Sequence, residues 1–364
     1  MSATESAASQ LLKKLLEGVA KHGASDLHLR VGQVPYVRLD GKLAETKAKP
    51  LTDVMMDEIL QLTSGIRPSE DMNGEFEFSF DAPDVARFRG HAFRDSNGWS
   101  LSLRAIPYEI PDFRQLRLPP VAKVLSEPIA GLVLVTGPTN SGKSTTVASM
   151  LHHLCSSEIV NLVTIEDPVE YRISGTPSCV SQREVGRHTD SWHSALAAVL
   201  RENPDVIFIG EIRDRDTLDV AMRAAETGHT VFTTFHTATA VQTVQRIIGM
   251  YPAEEQETAR ARLADALRGV LCQRLLPRKG TRGRILASEV MMGTFSIKEA
   301  IRDPARTRTI PAILERSGDQ HMRTLDQSLA ELCSQGLVEM QVALAHAVSP
   351  NDLKRGLSLS GMVA

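Results

Sequence analysis

A chain of 364 residues is longer than the ~250–300 at which a single hydrophobic core stops growing, so two domains are the expectation. Its 41 Lys+Arg against 44 Asp+Glu leave a formal charge of -3, a balance that calls for no nucleic-acid partner and no anionic membrane surface. No apolar run approaches the ~20 residues that span a bilayer, and the opening MSATESAASQ has no basic start leading into an apolar signal core, so a soluble protein without direct membrane insertion is expected. Cys155, Cys179, Cys272 and Cys333 are far apart and form no C-x-x-C pair; they read as reduced, buried thiols rather than as ligands or a disulfide framework.

Leu11, Leu12, Leu15, Leu16 and Val19 recur at helical spacing and predict an amphipathic helix over 10–20. Leu27, Leu29 and Val31, then 34–39 and the turn Asp40-Gly41, predict short antiparallel strands. Residues 52–63 read as a second helix. Glu75 to Phe80 alternates so strictly that a strand with one aromatic, buried face is expected. Residues 86–94 and 99–106 alternate likewise around Asn97-Gly98, a hairpin signal. The first 110 residues therefore read as a small α+β domain, and the proline-bearing stretch 106–120 as a semi-rigid connector with the boundary near Pro111.

Beyond the connector, strands and helices alternate. The run Leu132-Val133-Leu134-Val135 leads into Gly137, Pro138, Thr139, Asn140, Ser141, Gly142, Lys143, Ser144 and Thr145, which fits G-x-x-x-x-G-K-[ST] between a strand and a helix. That pattern closes backbone N–H groups around phosphate oxygens, with Lys143 on the β- and γ-phosphates of ATP and Ser144 as a ligand to Mg²⁺. The helix that follows turns its partly positive end to the same anion, and Asn140 enters left-handed backbone conformations at little cost. Strands at 160–165, 206–209 and 230–234 alternate with helices at 191–202 and 217–227, the mark of a parallel sheet covered on both faces. From Glu254 onward the pattern reads as helical. Leu263, Leu267, Val270 and Leu271 form one stripe of a helix ending before Pro277, and further helices follow at 296–302, 309–316, 325–335 and from Glu339 to the end.

In such a sheet, ligands bind at the carboxyl ends of the strands, where three polar stretches stand: Glu166-Asp167-Pro168-Val169-Glu170, Gly210-Glu211-Ile212-Arg213-Asp214 and Phe235-His236-Thr237. Hydrolysis of a terminal phosphoryl group needs a metal to neutralise charge and a carboxylate beside the attacking water. Glu211 fits the metal through its water shell and Glu166 fits the water, with the exchange of the two roles as the alternative. Solvated loop acids or helix caps are the plain alternative for a single cluster, but two clusters downstream of a phosphate loop favour the catalytic reading. His236 is a candidate for sensing the γ-phosphate or bridging between subunits, against the commoner role of an internally hydrogen-bonded histidine. The other histidines show no metal-ligand spacing, and His152-His153 reads as helix surface.

GPTNSGKST, TIEDPVEY (164–171), LRENPDVIFIGEIRD (200–214) and TGHTVFTTFHT (227–237) together resemble the Walker A, Asp, Walker B and His boxes of the secretion ATPases. Within that superfamily the chain is similar to the PilT-type pilus-retraction, or twitching-motility, ATPases, through ASDLHLRVGQVPYVRLDG (24–41), LRAIP (103–107) and MRTLDQSL (322–329). The resemblance implies a PAS-like domain over 1–110, a linker over 111–120 and a RecA-like P-loop ATPase domain with a helical end over 121–364. It further implies a homohexamer at the cytoplasmic face of the inner membrane, ATP with Mg²⁺, and a platform protein at the pilus base as the partner that receives force. Arg94 and Arg104 are the implied arginines that cap the nucleotide between domains, with Arg89 a weaker candidate; pairing with acids on the strand faces is the alternative. Three departures stand out: Asn140 replaces a glycine, Phe235 replaces a leucine of the His box, and Ser296 to Arg302 replaces the retraction box, with Lys298 where an arginine is usual. Lysine lacks the planar donor fork of arginine. Extension and secretion relatives carry a further N-terminal domain and a four-cysteine insertion that this sequence does not show, so retraction is favoured. Pilus assembly, type II secretion, or an accessory subunit working beside a second retraction ATPase are the alternatives.

Overall fold

A computed structural model describes residues 6–39, 41–66, 74–106 and 108–359, so Asp40, Pro107 and the last five residues named above lie outside the described residues. These divide into two compact units, 1–109 with 168–172, and 110–167 with 173–364.

In the first unit Ser6 caps α1 (Ala7–His22) by accepting the Ser9 amide, and Gly23 ends it in the left-handed conformation that glycine adopts without strain. Strands β1 (Asp26–Arg30), β2 (Tyr36–Leu39) and β3 (Lys42–Glu45) follow, then α2 (Asp53–Ser64) with Thr52 as its cap. Strands β4 (Glu75–Ala82), β5 (Ala86–Asp95) and β6 (Gly98–Ile106) complete an antiparallel sheet in the order β3-β2-β1-β6-β5-β4. Both helices pack on this sheet through Leu12, Leu16, Val19, Met56, Ile59 and Leu60. The aromatic face of β4 is present: Phe78 is buried, with Phe76 and Phe80 half-buried beside it. The β5–β6 turn is one residue earlier than expected, at Ser96-Asn97, because Asp95 pairs with Gly98 and its carboxylate accepts the Asn97 amide. Residues 168–172, which the sequence places in the second domain, belong to the first unit, where the buried Arg87 donates to the Val169 carbonyl, Asp81 and Ser79.

The second unit contains α3 (Val121–Leu125), β7 (Gly131–Thr136), α4 (Lys143–Ser157), β8 (Asn161–Glu166), β9 (Cys179–Glu184), α5 (Trp192–Val199), β10 (Val206–Ile209), α6 (Arg215–Glu226), β11 (Thr230–Phe235), α7 (Ala240–Ile248), α8 (Gln256–Ala266), β12 (Leu267–Pro277), β13 (Arg284–Met292), α9 (Phe295–Arg302), α10 (Ile310–Arg316), α11 (Leu325–Ser334), α12 (Met340–His346) and α13 (Pro350–Leu359). Its sheet runs β13-β12-β7-β11-β10-β8-β9, parallel throughout except for the antiparallel edge strand β13. The predicted α/β class is therefore met. Strands β7, β10 and β11 are buried on both faces, which is why they read as unbroken apolar runs.

The expected helix through Leu263, Leu267, Val270 and Leu271 is corrected: it stops at Ala266, and Leu267 opens an eleven-residue strand. Hydrogen bonding to β7, more than a hundred residues earlier in the chain, overrides a local helical spacing. At Gly269 a β-carbon would lie 2.8 Å from the Leu125 side chain and 3.1 Å from the Met291 carbonyl, a closeness a mid-helix glycine would not need. The cysteine reading is corrected in part. Cys155 and Cys272 are buried, and burial pushes the Cys155 thiol up to about 11, but Cys179 is exposed. His153 is half-buried against Phe113 rather than on the helix surface.

Leu271 is fully buried between β7 and β13. Leu271→Ala should lower unfolding free energy by about 2–5 kcal/mol in denaturant melts, and a loss below about 1 kcal/mol would contradict a strand packed on both faces.

Candidate nucleotide-binding site

The carboxyl end of β7 runs into the phosphate-loop motif. Gly137 has φ +149, Asn140 φ +65 and Gly142 φ +89, so three loop residues occupy backbone conformations that most side chains disfavour. A β-carbon on Gly137 would sit 2.5 Å from the Gln273 carbonyl and 2.5 Å from Ser141 Oγ. Glycine is required there because β12 passes directly beneath. Gly142 caps α4 without a side-chain bond, and the first intrahelical amide bond is Thr146 to the Gly142 carbonyl at 3.0 Å. The preceding amides lie at the positive end of the helix, where an anion is stabilised. Lys143 is buried with Nζ donating to the Gly137 and Pro138 carbonyls at 2.9 and 3.1 Å, so its ammonium is held at the loop. Pro138, Thr139, Asn140 and Ser144 are exposed, and Thr145 is half-buried. The hairpin that the sequence reading missed supports this loop: Gln273 Nε2 donates to Thr146 Oγ1 at 2.8 Å and Arg284 Nη1 donates to the Asn140 carbonyl at 3.1 Å. Gly269, a helix-weakening residue inside the stretch 267–277, was its one visible signal.

The sheet order then places His236, Glu211 and Glu166 at the ends of β11, β10 and β8, the first, second and third neighbours of β7 on that side. At about 4.8 Å per strand they stand roughly 5, 10 and 14 Å along the sheet from the loop strand. Glu211 Oε2 pairs with His236 Nε2 at 2.9 Å, and its other oxygen accepts from Arg213. Burial works to raise the Glu211 pKa, but the bonds from His236 and Arg213, with their charge, outweigh it and hold the carboxyl below its ordinary range. His236 is half-exposed and bonded across the site, so it is not an internal core histidine. Glu166 is buried, its Oε1 accepting from Thr164 Oγ1 at 2.7 Å and Gln182 Nε2 at 3.1 Å. That fixes one carboxylate oxygen while the backbone continues into Asp167. Phe235, the departure in the His box, is buried at the end of β11.

The arginines singled out above lie in the first unit. Arg104 Nε donates to Asp26 at 3.0 Å, Arg94 stacks 5.5 Å from the Trp99 ring centre, and Arg89 pairs with Glu77 at 2.7 Å. Arg104 and Arg89 thus make the acid pairings named as the alternative. Among the described residues no group of three or more His, Cys, Asp or Glu is placed to hold a metal by itself, and no helix is long and apolar enough to cross a membrane. A metal here would need oxygen ligands from the nucleotide, with the Ser144 hydroxyl and the Glu211 carboxylate as the protein groups that fit.

The model of the type II/IV secretion system protein family matches residues 2–343. The chain is 39% identical over 343 residues, 94% of its length and 99% of the relative's, to the type IV pilus retraction ATPase PilT of Pseudomonas aeruginosa. It is 35% identical over 349 residues to the type IV pilus ATPase PilU of the same organism, covering 95% of this chain and 91% of the relative. Among solved structures, the pilus retraction motor PilT with bound ADP superposes with a TM-score of 0.83 at 39% identity, over 94% of this chain and 99% of the other.

Gly137→Ala should weaken binding of a fluorescent ADP analogue at least tenfold, about 1.4 kcal/mol, with the fold retained by circular dichroism; wild-type affinity would show that β12 yields. Because the folded pKa of Glu211 lies below its unfolded one, its pairing contributes stability above the unfolded value, which is lost as pH falls through the folded value. Urea melts from pH 7 to 3 should therefore show a Glu211-dependent loss confined to pH below the ordinary glutamate range and absent in Glu211→Gln.

Proposed function

The chain belongs to the type II/IV secretion ATPase family, on its PilT-type branch, and from this we propose that it is a motor that hydrolyses ATP to drive retraction of a type IV pilus. The observation that carries the proposal is the row of groups at one edge of the sheet: backbone loop and Lys143, then His236, Glu211 and Glu166 on successive strands. Lys143 and the backbone amides at the start of α4, from Gly142 to Thr145, bind the phosphates. Ser144 and Glu211 would hold Mg²⁺, which when bound neutralises charge on the phosphates. Glu211 suits this task because its carboxyl stays ionised, and it stands nearer the loop strand than Glu166. Glu166, fixed by Thr164 and Gln182, orients the attacking water and takes its proton as the γ-phosphoryl group leaves ADP. His236, hydrogen-bonded to Glu211, is the proposed sensor of the γ-phosphate.

We further propose a homohexamer on the cytoplasmic face of the inner membrane, acting on a platform protein at the pilus base. Arg94 and Arg104 are the proposed arginines acting on nucleotide bound by a neighbouring copy. Support for this part is family membership and the domain pattern read from the sequence, 1–110, 111–120 and 121–364. A second reading, an accessory retraction subunit, rests on Lys298. Its Nζ reaches the Asp265 carbonyl at 3.4 Å, the one hydrogen bond it makes among the described residues, whereas Arg302 engages the carboxylates of Asp265 and Glu299.

Phosphate release by the purified protein tests the core claim. Lys143→Ala should lose nucleotide binding and turnover together, whereas Glu166→Gln should keep ADP affinity and lose about 10² to 10⁴ in kcat. Turnover in Lys143→Ala at the wild-type rate would sink the assignment. Twitching restored to a deletion strain by the wild-type gene alone supports the motor reading, and restoration only by Lys298→Arg favours the accessory one.

A further inference from the structure

Glu289 lies in the middle of β13 and is buried, with 5% of its surface exposed. Its two oxygens do different work. Oε1 accepts the amide of Ala240, the first residue of α7, at 2.6 Å, and Oε2 accepts the amide of Leu325, the first residue of α11, at 3.3 Å. Both amides are among those that a helix cannot satisfy internally, and a carboxylate at two helix starts is stabilised by both dipoles.

Each helix is tied in turn to a different part of the second unit. Helix α7 begins four residues after His236, and the intervening loop is fastened to it: Thr237 Oγ1 bonds Thr243 Oγ1 at 2.7 Å, the Ala238 amide donates to Gln242 Oε1 at 3.2 Å, and Thr239 caps the helix through the Gln242 amide at 3.2 Å. His236 itself meets Glu211. Helix α11 begins in the stretch MRTLDQSL. There Thr324 and Gln327 form a reciprocal cap, and Asp326 accepts the amides of Val348 and Ser349, both at 2.8 Å, at the entrance to α13. The chain of contacts is therefore Glu211, His236, the loop to α7, Glu289, α11, Asp326 and α13.

We infer that Glu289 is a positioning residue that couples the His236 loop to the C-terminal helices, so that a change at the nucleotide end is passed to α11 and α13 through one shared carboxylate. The inference rests on the proposed nucleotide reading of the His236 end. It adds a route within the second unit by which that end acts on a surface the hydrolytic groups do not touch. A carboxylate can accept both amides at once; a carboxamide has one acceptor and presents its NH₂ to the other N–H. In Glu289→Gln the shorter Ala240 bond should keep the oxygen, and α11 should lose this bond at its first residue, while its other bonds to β13 through Ser328 and Arg323 remain and α7 keeps its own.

The test is hydrogen exchange on the full-length protein, with and without saturating ADP, in wild type, Glu289→Gln and Glu289→Asp. In wild type, ADP should slow exchange in 137–145 and also change it in 325–334. In Glu289→Gln the protection of 137–145 should persist, the nucleotide response in 325–334 should vanish, and basal exchange at Leu325 should rise roughly tenfold, the factor that corresponds to about 1.4 kcal/mol for one lost acceptor. Glu289→Asp, one methylene shorter but still a carboxylate, should restore part of that response. A response in 325–334 that survives in Glu289→Gln, or that is missing in wild type while 137–145 is protected, overturns the coupling and leaves the nucleotide reading intact. Absence of protection at 137–145 in wild type overturns both. If Glu289→Gln proves too unstable to purify, Asp326→Asn takes its place: loss of the response in the α13 segment 350–357 upholds the relay, and its persistence overturns it.

Discussion

A phosphate bound by backbone amides tolerates no side chain between donor and anion, and that single demand shapes the second unit around the end of β7. Gly137 cannot carry a β-carbon because the Gln273 carbonyl and the Ser141 hydroxyl lie where it would go. The loop must therefore fold tightly against β12, and β12 must be a strand that runs beside β7 at that level. Gln273 and Arg284 complete the constraint by holding Thr146 and the Asn140 carbonyl. The shape of the proposed anion site is thus a property of three strands and a helix start rather than of the motif alone.

Around that fixed point the protein uses glutamates in contrasting environments. Glu211 is half-buried beside His236 and Arg213, and their hydrogen bonds and charges overcome its desolvation, so it stays ionised, as its proposed role at a cation requires. Glu289 is more deeply buried, and desolvation, the largest influence on it, raises its pKa despite the two helix amides it accepts. One carboxylate is set to meet charge and the other to join backbone elements, and the difference comes from surroundings and not from residue type.

The phosphate loop, the buried strands 206–209 and 230–235 and the first helix were legible because their signals are local: a motif between a strand and a helix, unbroken apolar runs, and an apolar stripe at helical spacing. The hairpin 267–292 was not, because Leu263, Leu267, Val270 and Leu271 satisfy helical spacing and the partner that selects the strand lies at 132–136. The short edge strands 42–45 and 179–184 carry too few alternating residues to register. Nor does composition reveal that 168–172 packs with the first unit, since the grip comes from Arg87, some eighty residues away. Of the site, the identity of the polar groups was readable; their order along the sheet, His236 then Glu211 then Glu166, and the His236–Glu211 bond needed the strand order.

The three departures from the family pattern divide along the same physical line. Asn140 takes φ +65, a conformation asparagine reaches nearly as readily as glycine, and its carbonyl gains a bond from Arg284, so the loop closes unchanged. Phe235 is absorbed into the main core at the end of β11. Lys298 is different, because among the described residues its ammonium meets one backbone carbonyl, where a guanidinium presents a planar fork that meets a carboxylate with two bonds. The neighbouring Arg302 already occupies the Asp265 carboxylate, so that a second arginine at 298 would compete for the same acceptor or reach outward for another. The nucleotide end of this protein is therefore conservative in its physics, and α9 is where the residue type departs from the family pattern in a way that changes the contacts it makes.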